Sequence, residues 1–133
     1  MYKKTNSRRN FIKKSVVIPS IIILPRHVLG GKNYTSPSDK LDIASVGVGG
    51  RGRRNTIAFQ NENIVSLCDV DSVHSSSTIK KFPKAKFYND FRIMLEKQKN
   101  IDAVIISTPD HTHAVIASMA IKMGKHIFCE KPL

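Results

Sequence analysis

The chain lacks any apolar run long enough to cross a bilayer. Its longest, from Ser15 to Pro25, has 11 residues and contains Pro19, whereas a hydrocarbon core takes about twenty. It also has little negative charge at one end. Residues 1–40 hold nine Lys/Arg and one acid, and residues 41–133 hold thirteen and nine. The net charge of +12 therefore divides into +8 on the leader and +4 on the body. The body carries no basic stripe interleaved with aromatics, which argues against nucleic acid as a partner. There is no internal repeat and no low-complexity tract. What remains is 133 residues with an apolar fraction of 41%, enough for one domain with a packed core.

The leader has an order of its own. Ser7-Arg8-Arg9-Asn10-Phe11-Ile12-Lys13 resembles the twin-arginine export signal, with Ile where Leu is usual. The apolar run that follows has the length of a signal h-region. The small-residue cleavage pattern is missing around His27-Val28-Leu29-Gly30-Gly31, so the cut has no assigned position, and a failed cut would leave the protein tethered to the membrane. The expectation is a signal peptide over residues 1–31 that engages the twin-arginine export machinery and delivers a folded protein to the periplasm. A polar linker over residues 32–40 follows, with Pro37 and Asp39.

The body opens on a strand, Leu41–Val46, followed by Gly47-Val48-Gly49-Gly50-Arg51-Gly52. This is G-x-G-x-x-G after a strand and before a helix. Asp69 lies 22 positions beyond the first glycine, at the end of a second strand. The set is the dinucleotide-binding fingerprint. Gly47 allows the tight turn, Gly49 lets backbone approach a pyrophosphate, and Gly52 lets the helix pack close to the strand. The helix start then offers N–H groups and partial positive charge to phosphates.

Periodicity predicts the rest. A helix over Arg51–Gln60 turns Ile57 and Ala58 inward, and Asn63–Cys68 is a strand. Asp71 or Ser72 caps a helix running to about Lys81. Lys86–Tyr88 is a short strand, and Asp90 caps a helix through Lys97 that carries Phe91, Met94 and Leu95 at helical spacing. Ile101–Ser107 is a strand apolar enough to be covered on both faces. Thr112–Met123 is a helix with Gly124 beyond its end, and His126–Cys129 is a fifth strand. Alternating strands and helices give an α/β fold, a Rossmann-type doubly wound parallel sheet ordered 3-2-1-4-5. Cys68 and Cys129 then end strands three spacings apart, about 14 Å. A disulfide needs Cα atoms within about 7 Å, so both thiols are expected free and largely buried.

Ligands in such sheets bind at the carboxyl ends of the strands, and the unusual residues fall there. Asp69 is placed to accept from the adenosine ribose hydroxyls. Its charge repels a 2′-phosphate, which favours NAD over NADP. Arg51, with Arg53 and Arg54, could screen a pyrophosphate. The fourth strand ends in Thr108-Pro109-Asp110-His111-Thr112-His113, a loop suited to the nicotinamide half. His111 and His113 form H-x-H, but a metal needs three or four ligands and no further cluster accompanies them, so no metal is expected. The fifth strand ends in Glu130-Lys131-Pro132. Lys131 could stabilise alkoxide charge during hydride transfer.

Together with Tyr88-Asn89-Asp90-Phe91-Arg92, these motifs resemble the glucose–fructose oxidoreductase / inositol dehydrogenase / MocA (Gfo/Idh/MocA) family of NAD(P)-dependent oxidoreductases. The resemblance covers residues 41–133. It implies an N-terminal Rossmann domain followed by a C-terminal α/β domain that holds most of the substrate site and mediates homo-oligomers. It further implies cofactor contacts at Gly47, Gly49, Gly50, Arg51, Gly52, Asp69, Thr108, Pro109, Asp110, His111, His113, Glu130 and Lys131. Lys131 would lie beside the nicotinamide ribose and the substrate as the catalytic group. The last strands of that sheet, the second domain and the family's downstream acid/base residue do not occur before Leu133. The expectation is therefore an incomplete Rossmann domain over residues 41–133.

The function expected is the nucleotide-binding part of an exported oxidoreductase that transfers hydride to or from a sugar or polyol. Two alternatives remain. One is an NAD-dependent glycoside hydrolase of the same superfamily. The other is a non-catalytic NAD-binding remnant.

Overall fold

The computed structural model describes residue 36 and residues 39–132. The leader expected over residues 1–31, and most of the linker, lie outside the described residues. The chain divides into two units, Met1–Ser36 and Pro37–Leu133, and every element named below belongs to the second. Its order is β1 (Asp42–Val46), α1 (Gly50–Ala58), β2 (Asn63–Cys68), α2 (Ser76–Lys81), β3 (Lys86–Tyr88), α3 (Phe91–Lys97), β4 (Ala103–Ile106), α4 (Asp110–Lys122) and β5 (His126–Cys129).

The five strands form one parallel sheet in the order β3-β2-β1-β4-β5, as the alternation of elements predicts. Parallel neighbours need covered faces, and the apolar residues supply the cover. Ala44, Val46, Cys68, Val104 and Ile106 share one cluster with Met94 and Leu95 of α3 and with Ile116, Ala117 and Ala120 of α4. Burying each large aliphatic side chain stabilises by about 1.5–3 kcal/mol.

The other face of β1 meets α1, and its packing differs from expectation. Ala58 is exposed and Ile57 half-buried, while Gly52 and Thr56 are the buried residues of the helix. A Cβ on Gly52 would overlap the Gly47 carbonyl. That close approach fixes which face of α1 turns inward, and one turn later the inward position falls to Thr56. Its hydroxyl donates to the Gly52 carbonyl at 2.8 Å and accepts from Ser45 Oγ at 2.7 Å, so a buried polar pair stands where an apolar one was expected.

Helix ends shift for similar local reasons. Asp71 caps as expected, its Oδ1 accepting from the N–H groups of Val73 and His74 at 2.9 Å each. The turn it caps precedes α2, which begins only at Ser76. Asp90 caps α3 by accepting from the Arg92 N–H at 2.8 Å. Gly124, with φ +71°, ends α4 in the left-handed region that favours glycine. Among the described residues no helix is long and apolar enough to cross a membrane.

The register aligns Tyr88, Cys68, Val46, Ile106 and Cys129 in one row across the five strands. The two cysteines thus stand three strand spacings apart and are free. Cys68 is buried and Cys129 partly so. Burial, then the charges of Asp69 and Asp90, push the Cys68 thiol up to about 12. In a titration of the native protein at pH 8 with an aromatic disulfide reagent, Cys68 should remain unmodified, because the thiolate is the attacking species. Two thiols should react in denaturant. Rapid modification of Cys68 in the native state would contradict this register.

Candidate functional site

The residue after each strand end forms a rim: Asn89, Asp69, Gly47, Ser107 and Glu130 in sheet order. The glycine loop is the middle of that rim. Gly47 has φ +76°, and a Cβ there would lie 2.7 Å from the Ser107 carbonyl oxygen. Its N–H donates to the Cys68 carbonyl at 2.8 Å. Val48 is buried, with both backbone groups satisfied from outside the loop. Its N–H donates to Asp69 Oδ2 at 2.8 Å, and its carbonyl accepts from Thr78 Oγ1 at 2.7 Å. Asp69 Oδ2 also accepts from the Gly49 N–H at 3.1 Å, and Oδ1 accepts from the Asp71 N–H at 3.0 Å. The acid expected to meet the ribose thus also holds the loop in shape.

No side chain caps α1 at Gly49, and its first turn contains no acid. Its leading N–H groups are therefore available to an anion, which the helix dipole favours. Gly49 differs from expectation. The space a Cβ would need there is taken by the imidazole of His74, a residue that the fingerprint does not include. A larger residue at this position would have to displace the exposed His74 ring.

On the other side of β1, Glu130 ties the end of β5 to α1. Its Oε1 accepts from Arg51 Nε at 3.0 Å and from Asn55 Nδ2 at 2.8 Å. Asn55 Nδ2 also donates to Ser107 Oγ at 2.8 Å. The hydrogen bonds from Arg51 and then Asn55 hold the Glu130 carboxyl below the usual glutamate range. Arg51 and Glu130 therefore pair with each other. Lys131 is exposed.

The two histidines of the H-x-H pair part company. Helix α4 starts at Asp110, two residues before the expected Thr112, so both lie in its first turns. Positions two apart on a helix face different ways. His111 is exposed, whereas His113 is 1% exposed. The His113 Nδ1 lies 2.8 Å from the Pro132 carbonyl oxygen, and Nε2 lies 2.7 Å from that of Thr108. It joins the loops after β4 and β5 from behind. Among the described residues no three His, Cys, Asp or Glu side chains are grouped to hold a metal ion.

A crevice of about 530 Å³ lies along this rim. It is bordered by Gly47, Gly49, Asp69, Phe91, Thr108, Pro109 and His111 among the residues named from sequence, and by His74 and Ile116 among those not named. Gly52 and His113 are buried behind it. Gly50, Arg51, Asp110, Glu130 and Lys131 stand outside its lining. A dinucleotide fits these residues, since the start of α1 is uncapped by side chains and a carboxylate stands beside it.

A family profile described as "Oxidoreductase family, NAD-binding Rossmann fold" matches residues 41–133. Inositol 2-dehydrogenase of Salmonella typhimurium is 31% identical over 97 residues, covering 71% of this chain and 29% of that protein. A "Glycosyl hydrolase family 109 protein" of Stenotrophomonas maltophilia is 29% identical over 136 residues, covering 92% and 29%. The crystal structure of myo-inositol 2-dehydrogenase from Lactobacillus plantarum superposes with a TM-score of 0.64 at 28% identity, covering 70% of this chain and 28% of that one. The chain thus spans under a third of the length of the relatives it matches.

The Glu130 tether makes a prediction with a sign. A carboxylate whose folded pKa is depressed contributes stability above its unfolded pKa, and that contribution is lost as pH falls through the folded value. The thermal midpoint of the wild-type protein should therefore fall more steeply than that of Glu130→Gln between about pH 5 and pH 3. Parallel curves would show that Glu130 holds nothing.

Proposed function

The chain belongs to the Gfo/Idh/MocA family of oxidoreductases with an NAD-binding Rossmann fold, and on that premise we propose that it is the dinucleotide-binding part of an exported enzyme that oxidises or reduces a sugar or polyol by hydride transfer. The observation that carries the reading is the Asp69 carboxylate set beside the Gly47–Gly52 loop and the uncapped start of α1. Bound NAD supplies the hydride donor or acceptor. The protein's own part is binding and charge. Asp69 receives ribose hydroxyls and turns away a 2′-phosphate, and the leading N–H groups of α1 receive the diphosphate. The Thr108–His111 segment borders the nicotinamide half. Lys131 places an ammonium beside the reacting oxygen and stabilises charge as it develops.

The sugar or polyol class is supported by the inositol dehydrogenases among the relatives. Export to the periplasm through the twin-arginine machinery is supported by Arg8-Arg9 and the short apolar run behind them. The complete enzyme is expected to form homo-oligomers through its second domain.

One observation favours a second reading. The likeness to the Stenotrophomonas glycosyl hydrolase covers 92% of the chain, so it extends beyond residues 41–133 into the leader. Against it stand Lys131 and the Asp110-His111-Thr112-His113 loop, which suit direct hydride transfer.

The test uses the protein expressed from its complete natural reading frame. Mixed with NAD, it should raise the absorbance at 340 nm with at least one member of a panel of inositols and aldoses, and Lys131→Met should lower that rate by about 100-fold or more. Release of p-nitrophenol from aryl glycosides with no change at 340 nm would support the hydrolase instead. Silence in both assays, with NAD bound, would leave a nucleotide-binding protein without this chemistry.

A further inference from the structure

The ring of His113 is buried, and both of its nitrogens face oxygens that can only accept. Nδ1 lies 2.8 Å from the Pro132 carbonyl and Nε2 lies 2.7 Å from that of Thr108. A neutral imidazole carries one N–H. It serves one of the two carbonyls and turns a lone pair on the other at hydrogen-bonding distance. The imidazolium carries two N–H groups and serves both. The geometry therefore fits the protonated ring.

Burial opposes a cation, and the surroundings offset that cost. Both bonds are charge-assisted when the ring is protonated. The carboxyl of Glu130, held low first by the hydrogen bonds from Arg51 and Asn55, also interacts with the charge of His113. Of the strands packed against α4, β4 carries no titratable side chain, and β5 carries His126 at its far end and Cys129 before Glu130 and Lys131. On α4 itself, Asp110 and His111 are exposed. Lys131 stands between two anchors. On one side the Glu130 N–H donates to the Ile106 carbonyl at 3.0 Å, and the Glu130 side chain is tied to Arg51 and Asn55. On the other side Pro132 has no N–H, and its carbonyl meets His113. The first anchor holds no group that titrates near neutrality. The second depends on an imidazole, the side-chain group whose charge changes in that range.

We propose that His113 is a proton-dependent positioning residue for Lys131. As an imidazolium it donates to both carbonyls and fixes the segment that carries the lysine. When one ring proton leaves to solvent, one carbonyl loses its donor and the segment loosens. The clamp is complete while the ring is protonated and opens as pH rises, so hydride transfer slows on the alkaline side. The role of Lys131 in this proposal rests on the oxidoreductase reading above.

The experiment uses the protein from its complete natural reading frame, isotope-labelled at the histidine ring nitrogens for NMR, and the variant His113→Gln, which keeps a donor but no titrating proton. Near neutral pH both ring nitrogens of His113, assigned by their loss in the variant, should carry a proton. The Lys131 amide should exchange about tenfold faster in His113→Gln than in wild type. With a sugar or polyol that the enzyme oxidises, wild-type kcat should fall over the pH range in which the ring proton is lost. His113→Gln should show a kcat lower by about tenfold, a KM for NAD within about threefold of wild type, and no fall over that range. A ring with a single N–H near neutral pH would overturn the proposal, as would an alkaline fall that persists in His113→Gln. If the variant does not fold, the wild-type ring titration decides: coincidence with the fall in kcat supports the clamp, and separation of the two overturns it. Two ring protons in a protein that oxidises no sugar or polyol would overturn the oxidoreductase reading, and with it the role of His113 toward Lys131.

Discussion

The structure depends first on one carboxylate. Asp69 Oδ2 takes the N–H groups of Val48 and Gly49, at 2.8 and 3.1 Å, and so fastens the exit of β1 to the exit of β2. Without it, two loop N–H groups would lose their acceptor, each worth about 1–3 kcal/mol when it is left unsatisfied away from water. Thr78 holds the same turn from α2 through the Val48 carbonyl. The loop is thus shaped by protein groups before any ligand arrives. A preformed loop spares a dinucleotide the entropy of ordering it. The carboxylate still has lone pairs to offer a ribose, since Oδ1 makes a single hydrogen bond, to the Asp71 N–H.

A second set of ties runs the other way across the sheet. Glu130 binds Arg51 and Asn55 of α1, Asn55 reaches Ser107, and His113 spans the Thr108 and Pro132 carbonyls. These groups connect the phosphate end of the site to the segment that carries Lys131. Arg51 is exposed and Glu130 and Asn55 are half-buried, so their ties are no large source of stability. Their effect is geometric. The loops after β1, β4 and β5 are held together, and the group expected to do chemistry is attached to the group expected to hold the cofactor.

Much of this was legible in the sequence because it depends on spacing. Strand ends, glycine positions and the acid 22 residues on are set by chain geometry, and a continuous apolar stretch at β4 can only be buried on both sides. Side-chain pairing is set by three-dimensional neighbours and was not legible. Thr56 displaced Ile57 and Ala58 from the inner face because Gly52 fixes how α1 meets β1. His113 turned inward because it precedes Ile116, Ala117 and Ala120, the buried face of α4, by three, four and seven residues. Arg51 and Glu130 are 79 positions apart, and nothing local announces their pairing. His74 was missed because its place against Gly49 is set by the fold. The one signal available was a histidine in the turn just past the acid.

The account's central claim is that Asp69 forms the glycine loop in the absence of cofactor. Amide hydrogen exchange at Val48 and Gly49 in the cofactor-free protein tests it most directly. Protection of both amides, lost in Asp69→Ala while the β1 amides stay protected, is the result this account predicts. Exchange at the rate of an open loop in the wild-type protein, slowing only when NAD is added, would contradict it and make the cofactor, rather than the carboxylate, the organiser of the site.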